Sequence, residues 1–112
     1  VQHIAFQTDD IFETSAMLKS SGFARLAIPQ NYYADTQAEF GLKDAMVQEL
    51  QAHNLLYDED AGGAYYQLYG QSIFDGFFFD IVQRKGRYMG YGARNAPVRL
   101  ASQSRSRLKQ AS

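Results

Sequence analysis

Hydrophobic and polar positions along this chain fall into short runs whose spacing changes from two to nearly four and back. From Val1 to Thr8 they alternate, with Gln2, Ile4 and Phe6 on one side and His3, Ala5 and Gln7 on the other. That is the period of a strand. Asp9 or Asp10 then supplies a short oxygen side chain suited to a helix N-cap. Ile11, Phe12, Ser15, Met17 and Leu18 follow near helical spacing, and Gly22 ends the segment. Phe23 to Ile28 is predicted as a short strand stopped by Pro29. Helices are predicted from Asn31 to Phe40, broken at Gly41, and from Leu42 to His53. Leu55-Leu56-Tyr57 opens another strand, the acids and glycines from Asp58 to Gly63 read as a turn, and Ala64 to Tyr69 returns as a hairpin partner.

After a connection from Gly70 to Gly76 comes Phe77-Phe78-Phe79-Asp80-Ile81-Val82-Gln83-Arg84, rich in aromatic and branched residues that suit a pleated, half-buried surface. Alternation puts Phe78, Asp80 and Val82 on one face and Phe77, Phe79, Ile81 and Gln83 on the other. A carboxylate among aromatics is costly unless a metal ion, a cation or backbone N–H groups meet it. Gly86, Gly90 and Gly92 mark a loop, and Pro97 suits the first turn of a last helix, weakly amphipathic through Val98, Leu100, Ala101 and Leu108. Strand, helix, helical insertion, three strands and a helix make an α+β domain with a mostly antiparallel sheet. Residues 1–96 are expected to form the module, and 97–112 a helix with a basic tail.

At 112 residues, 46% hydrophobic and 14% aromatic, the chain is predicted to be one folded domain. Without Met at its start, and with Val1 already inside a strand pattern, it reads as a piece of something longer. No cysteine means no disulfide and no thiolate metal site. Neither a signal peptide nor a membrane-length apolar run is present, so a cytoplasmic protein is expected. The net charge of −1 hides a division: eight basic residues and no acid from Arg84 onward, against three basic and twelve acidic residues before it. A basic tail can serve nucleic acid, but aromatic stacking platforms are not interleaved with it. Neither nucleic acid nor membrane is an expected partner; a tail that folds back on the acidic body, or is solvated, is.

Several stretches occur in a telling order: Gln2-His3-Ile4-Ala5, Asn31-Tyr32-Tyr33, Tyr66-Gln67-Leu68-Tyr69, Phe77 to Gly86, and Gly90-Tyr91-Gly92 with Asn95. Together they resemble the C-terminal module of 4-hydroxyphenylpyruvate dioxygenase and its relatives in the vicinal-oxygen-chelate superfamily. The resemblance implies a βαβββ module of the glyoxalase and dioxygenase kind, with first and last strands side by side. It also implies that His3 and Asp80 are two ligands of a 2-His-1-carboxylate Fe(II) site, or one for another divalent cation. Such a site serves 2-oxo-acid oxidation in aromatic amino acid catabolism. Gln2, Gln67, Tyr69, Phe78, Tyr91 and Asn95 match substrate-contacting positions. Asp80 stands where the family has Glu, shorter by about 1.5 Å, and Ala96 stands where it has Phe. The first histidine ligand belongs to a preceding module, so this chain alone is expected to bind metal poorly and to be inactive.

The ending from Gly90 to Ala101 is also similar to a dioxygenase-like domain fused to some bacterial 3-dehydroshikimate dehydratases of quinate and shikimate catabolism. There, the resemblance implies a non-catalytic or accessory role. A third class is a binding module like antibiotic-resistance members of the superfamily, paired across a homodimer. Blander roles stand beside these: Asp80 paired with Arg84 or a tail arginine, Gln67 satisfying backbone groups, Tyr32 and Tyr33 packing a helix, and His53 capping a helix end. Asp58-Glu59-Asp60 lacks the calcium-loop pattern and reads as a solvated turn.

Overall fold

The computed structural model of the chain describes residues 3–22, 24–70, 78–88 and 95–111, and the side chains within them except those at 3, 4, 78 and 105–111. Among the described residues the elements run β1 (His3–Gln7), α1 (Ile11–Ser20), α2 (Gln30–Phe40), α3 (Asp44–Ala52), β2 (Leu56–Asp60), β3 (Gly63–Tyr69), β4 (Phe78–Gly86) and α4 (Ala96–Ala111). The strands form one sheet in the order β1-β4-β3-β2. β1 runs parallel to β4, and the other two pairings are antiparallel. First and last strands therefore lie side by side, and the architecture is the α+β βαβββ module with a helical insertion and a C-terminal helix.

Strand β4 has neighbours on both sides, so its two faces set the layers. One face carries Ile81 beside Leu68 and Tyr66 of β3, which join Ile11, Leu26, Leu50, Leu55, Leu56 and Tyr57 in the main core. The rings of Phe12, Tyr57 and Tyr66 meet edge-on at 5.2–5.8 Å there. Gln83 shares this face and fastens α1 to it. Its Oε1 accepts the Ile11 N–H at 2.8 Å, and its Nε2 donates to the Asp9 carbonyl at 2.8 Å. Asp10 caps the same helix by accepting the Glu13 N–H at 3.1 Å. Gly41, at φ +64°, ends α2 in the left-handed conformation that glycine tolerates best.

Three boundaries differ from the sequence reading. The acidic stretch from Asp58 to Asp60 is not a turn but the second half of β2, paired with Tyr65, Ala64 and Gly63. The turn is confined to Ala61 and Gly62, with Asp60 Oδ1 accepting from the Gly62 and Gly63 N–H groups. Acids are compatible with a strand here because β2 is a sheet edge, where charged side chains are favoured. Phe23 to Ile28 contributes only one bridge, Arg25 to Gly70, within the described residues. Finally, α4 buries Ser102 and Gln103 while Leu100 is 52% exposed. Val98 of the same helix packs against the main core, so its buried side mixes apolar and polar residues.

The clamp on α1 makes a measurable prediction. Gln83→Leu leaves the buried Ile11 N–H without its acceptor and is expected to lower unfolding stability by about 1–3 kcal/mol, read from urea denaturation. A loss of a few tenths would mean the clamp does not hold the helix.

Candidate functional site

The second face of the sheet carries Tyr65, Gln67 and Tyr69 from β3 beside Asp80, Val82 and Arg84 from β4. The register sets Tyr69 against Asp80, Gln67 against Val82 and Tyr65 against Arg84. This face is polar and yet buried, with Gln67 3%, Tyr69 3% and Asp80 6% exposed. Burial at that level demands that each polar group find a partner.

Most of them do, in one connected set. The Tyr57 backbone N–H donates to the Tyr32 hydroxyl at 2.7 Å. Tyr32 Oη lies 2.8 Å from Asn95 Oδ1 and 3.0 Å from the Tyr57 carbonyl, the two acceptors for its single hydrogen. Asn95 Nδ2 donates to Gln67 Oε1 at 2.7 Å, and Gln67 Nε2 donates to Tyr69 Oη at 2.8 Å. Asp80 differs. Its Oδ1 is buried and has no hydrogen-bond partner among the described residues. Burial pushes its carboxyl up to about 6, against the downward pull of the Arg99 charge, the Gln67 amide and the Arg84 charge. Burial and the nearby Asp80 likewise raise the Tyr69 and Tyr65 phenols.

Two arginines frame the carboxylate. Arg84 lies over the Tyr65 ring, 4.7 Å from its centroid, and Arg99 of α4 over the Tyr69 ring at 5.9 Å. Tyr65 stacks on Tyr88 at 4.9 Å, nearly parallel, closing the far end of the face with Val82. Of the pairing of Asp80 with Arg84 or a tail arginine, considered from sequence, what is seen is the electrostatic influence of the Arg99 and Arg84 charges.

The expected ligands and contacts divide as follows. Asp80, Gln67, Tyr69 and Asn95 are brought together on this face. His3 and Phe78 are described by their backbone: the two are register partners, two residues ahead of the pair Ala5 and Asp80. His3 thus shares its place in the alternation with the strand position beside Asp80. Gln2 and Tyr91 lie outside the described residues. Among the described residues no three His, Cys, Asp or Glu side chains converge as a metal cluster.

Gln67 was expected to bond backbone groups, if structural; it bonds side chains instead. Tyr32 and Arg99 were missed as site residues, Tyr32 read as helix packing and Arg99 as part of a basic tail. The spacing of four between Asn95 and Arg99, one helical turn, was the available signal for Arg99. Nothing in the periodicity of α2 singles out Tyr32. His53 caps α3, and its Nδ1 lies 2.9 Å from Ser15 Oγ, away from the site.

Comparison with known proteins agrees with the fold. The chain is 47% identical over 108 residues to a 3-dehydroshikimate dehydratase of Pseudomonas putida, covering 96% of this chain and 17% of that protein. It is 33% identical over 97 residues to a 4-hydroxyphenylpyruvate dioxygenase of Pseudomonas aeruginosa, covering 85% of this chain and 27% of the dioxygenase. A solved xylose isomerase-like TIM barrel/4-hydroxyphenylpyruvate dioxygenase fusion protein superposes with a TM-score of 0.88 at 46% identity, over 94% of this chain and 17% of that one. The chain therefore spans well under a third of these relatives. No protein-family model matches it. No helix among the described residues is long and apolar enough to cross a membrane.

The buried carboxyl fixes the sign of a pH effect. Unfolded, Asp80 releases its proton near the ordinary 3.8; folded, near 6. Between those values the folded state holds the extra proton, so stability falls as pH rises, and above about pH 6 the full deficit is present. At roughly 1.4 kcal/mol per tenfold, that deficit is about 2–3 kcal/mol. Asp80→Asn is expected to abolish the fall between pH 4 and 6 and to raise stability at pH 7. Urea midpoints across that range test it; an unchanged pH profile would contradict it.

Proposed function

We propose that this chain, a 4-hydroxyphenylpyruvate dioxygenase-like module by sequence and fold, contributes two ligands, His3 and Asp80, to a 2-His-1-carboxylate site for Fe(II). The observation that carries the reading is the orphaned Asp80 Oδ1, a hard oxygen donor buried on a polar face. An unpaired buried carboxylate is costly, and a bound cation relieves that cost. A ferrous ion held by His3, Asp80 and a third ligand would supply the chemistry of O₂ activation for oxidation of a 2-oxo acid. The chain's own residues then position the substrate. Gln67, whose amide lies beside Asp80, together with Tyr69, Asn95, Gln2, Phe78 and Tyr91, is assigned to contact the substrate. Because Asp80 is protonated more readily than an exposed acid, metal loading releases a proton and strengthens as pH rises through about 6.

In this reading residues 1–96 form the site module, and 97–112 form a capping helix with a basic tail. The third ligand comes from a companion module or from a second copy of the chain, and a homodimer is the arrangement for the chain alone. Substrates are small 2-oxo or aromatic acids, and the setting is the cytoplasm.

A second reading is favoured by the identity of 47% to a dehydratase against 33% to a dioxygenase. Under it the module is an accessory domain of a 3-dehydroshikimate dehydratase, and dehydration proceeds elsewhere in the protein. Metal titration of the full-length parent separates the two, followed by oxygen uptake with 4-hydroxyphenylpyruvate. On the first reading, His3→Ala and Asp80→Ala each weaken Fe(II) binding at least tenfold and abolish uptake. Normal dehydroshikimate turnover with no uptake would select the second. In light scattering the chain alone is expected to run as a dimer; a monodisperse monomer would point to a companion module.

A further inference from the structure

We infer that Arg99 and Gln103 of α4 form a carboxylate-binding subsite beside the polar sheet face, so that the ligand of this module is a short 2-oxo diacid held by the metal at one end and by α4 at the other. The metal-bound end rests on the reading above; the subsite on α4 stands apart from it.

At about 3.6 residues per turn, Asn95, Arg99, Ser102 and Gln103 share one side of α4, bordered by Val98 toward the main core. Pro97, Leu100, Ala101 and Ser104 on the other side are exposed. The Asn95 and Gln67 amides meet at 2.7 Å, and the Arg99 guanidinium lies over the Tyr69 ring, 5.9 Å from its centroid. The helix therefore follows β3 from Gln67 to Tyr69, the register partner of Asp80. Gln103 comes one turn later, its Cβ about 5–6 Å from that of Arg99.

Two buried polar atoms there have needs of opposite sign. Gln103 is 6% exposed, and its Nε2 is buried with no hydrogen-bond partner. A donor in that position calls for an acceptor. Asp80 Oδ1, equally without a partner, calls for a cation or a donor. A metal ion alone answers only Asp80, and an apolar ligand answers neither. An anionic ligand that reaches from the metal to α4 answers both. Arg99 supplies the charge for its far end, through a planar fork of N–H donors that matches a carboxylate. The sixteen residues of α4 include no aromatic side chain, and Tyr69 is faced by a guanidinium rather than a ring. This helix is thus furnished to hold an acid group, not to stack on a ring.

The test is calorimetric titration of the full-length parent loaded with Mn(II), so that no turnover intervenes. The probes are 2-oxoglutarate and 2-oxopentanoate, which has a methyl group in place of the far carboxylate. The diacid is expected to bind about tenfold more tightly, as one charge-assisted pair provides. Arg99→Gln should erase that preference by weakening the diacid alone, and Arg99→Lys, with charge but no fork, should keep part of it. Gln103→Leu should lower it about threefold, the effect of one neutral hydrogen bond. The ratio of the two affinities cancels any change in metal binding, and a merely structural role of Arg99 would weaken both probes alike. Equal affinities in the wild type, or a preference that survives Arg99→Gln, would overturn the inference. So would an equal loss in Arg84→Gln, since the effect would then be bulk charge. If Arg99→Gln does not fold by circular dichroism, Arg99→Lys and Gln103→Leu decide: a preference lowered in both supports the subsite, and one unchanged in either overturns it. Glutarate, which lacks the keto oxygen and cannot form the 2-oxo acid chelate, separates the two ends. If Asp80→Ala leaves Mn(II) binding unchanged while Arg99→Gln still weakens glutarate, the subsite stands and the metal reading falls. Binding of none of the three acids overturns the subsite, whatever the metal does.

Discussion

A carboxylate buried on a central strand needs a positive or donating partner, and most of this fold's polar design follows from that need. Asp80 sits in β4 with Tyr69 on one side and Ala5 on the other. It cannot reach solvent, and retreat to the opposite face would require a one-residue slip. A slip would carry Ile81 out of the core and expose it. The pairing that buries Ile81 against Leu68 is thus the same constraint that holds Asp80 inward.

The surroundings answer only part of the need. Two guanidinium charges and the Gln67 amide favour the ionised form, yet burial outweighs them and leaves the carboxyl at about 6. A protein selected for stability alone replaces such a group with an apolar one of similar shape. Its retention, beside a hydrogen-bonded set that spans α2, β2, β3 and the start of α4, fits a site whose stability is lent to binding. The same set also protects an edge: the Tyr32 hydroxyl occupies the outward N–H of Tyr57 on β2, a group otherwise open to pairing with another chain.

How much of this was legible in the sequence depends on whether local pattern or tertiary partner decides. The period of two in Phe77–Arg84 assigned Asp80, Ile81 and Gln83 to the correct faces, since a strand with neighbours on both sides has no other freedom. Helix ends at Asp10 and Gly41 were readable because capping is local. The acids of β2 misled because an edge strand and a turn tolerate the same residues. α4 misled in part: Val98 packs against the main core as read, but Leu100 and Ala101 are exposed while the polar Ser102 and Gln103 are buried. Tyr32 was out of reach altogether. Its role depends on Tyr57, Asn95 and Gln67, which lie 25 to 63 residues away along the chain, and no periodicity encodes such a meeting.

The short acid and the tail arginine also bear on each other. A cation held by Asp80, a side chain about 1.5 Å shorter than Glu, would share this face with Arg99, which lies over the Tyr69 ring, and like charges in a low-dielectric environment repel strongly. An anionic ligand between them relieves the repulsion and gains from both charges. Metal and acid should therefore bind with positive coupling, each weak alone and stronger together, and by linkage each strengthens the other by the same factor. A pocket built this way selects for a substrate that carries its negative charge to the metal. Neutralising Arg99 would loosen that selection, even as it eased entry of the metal by itself.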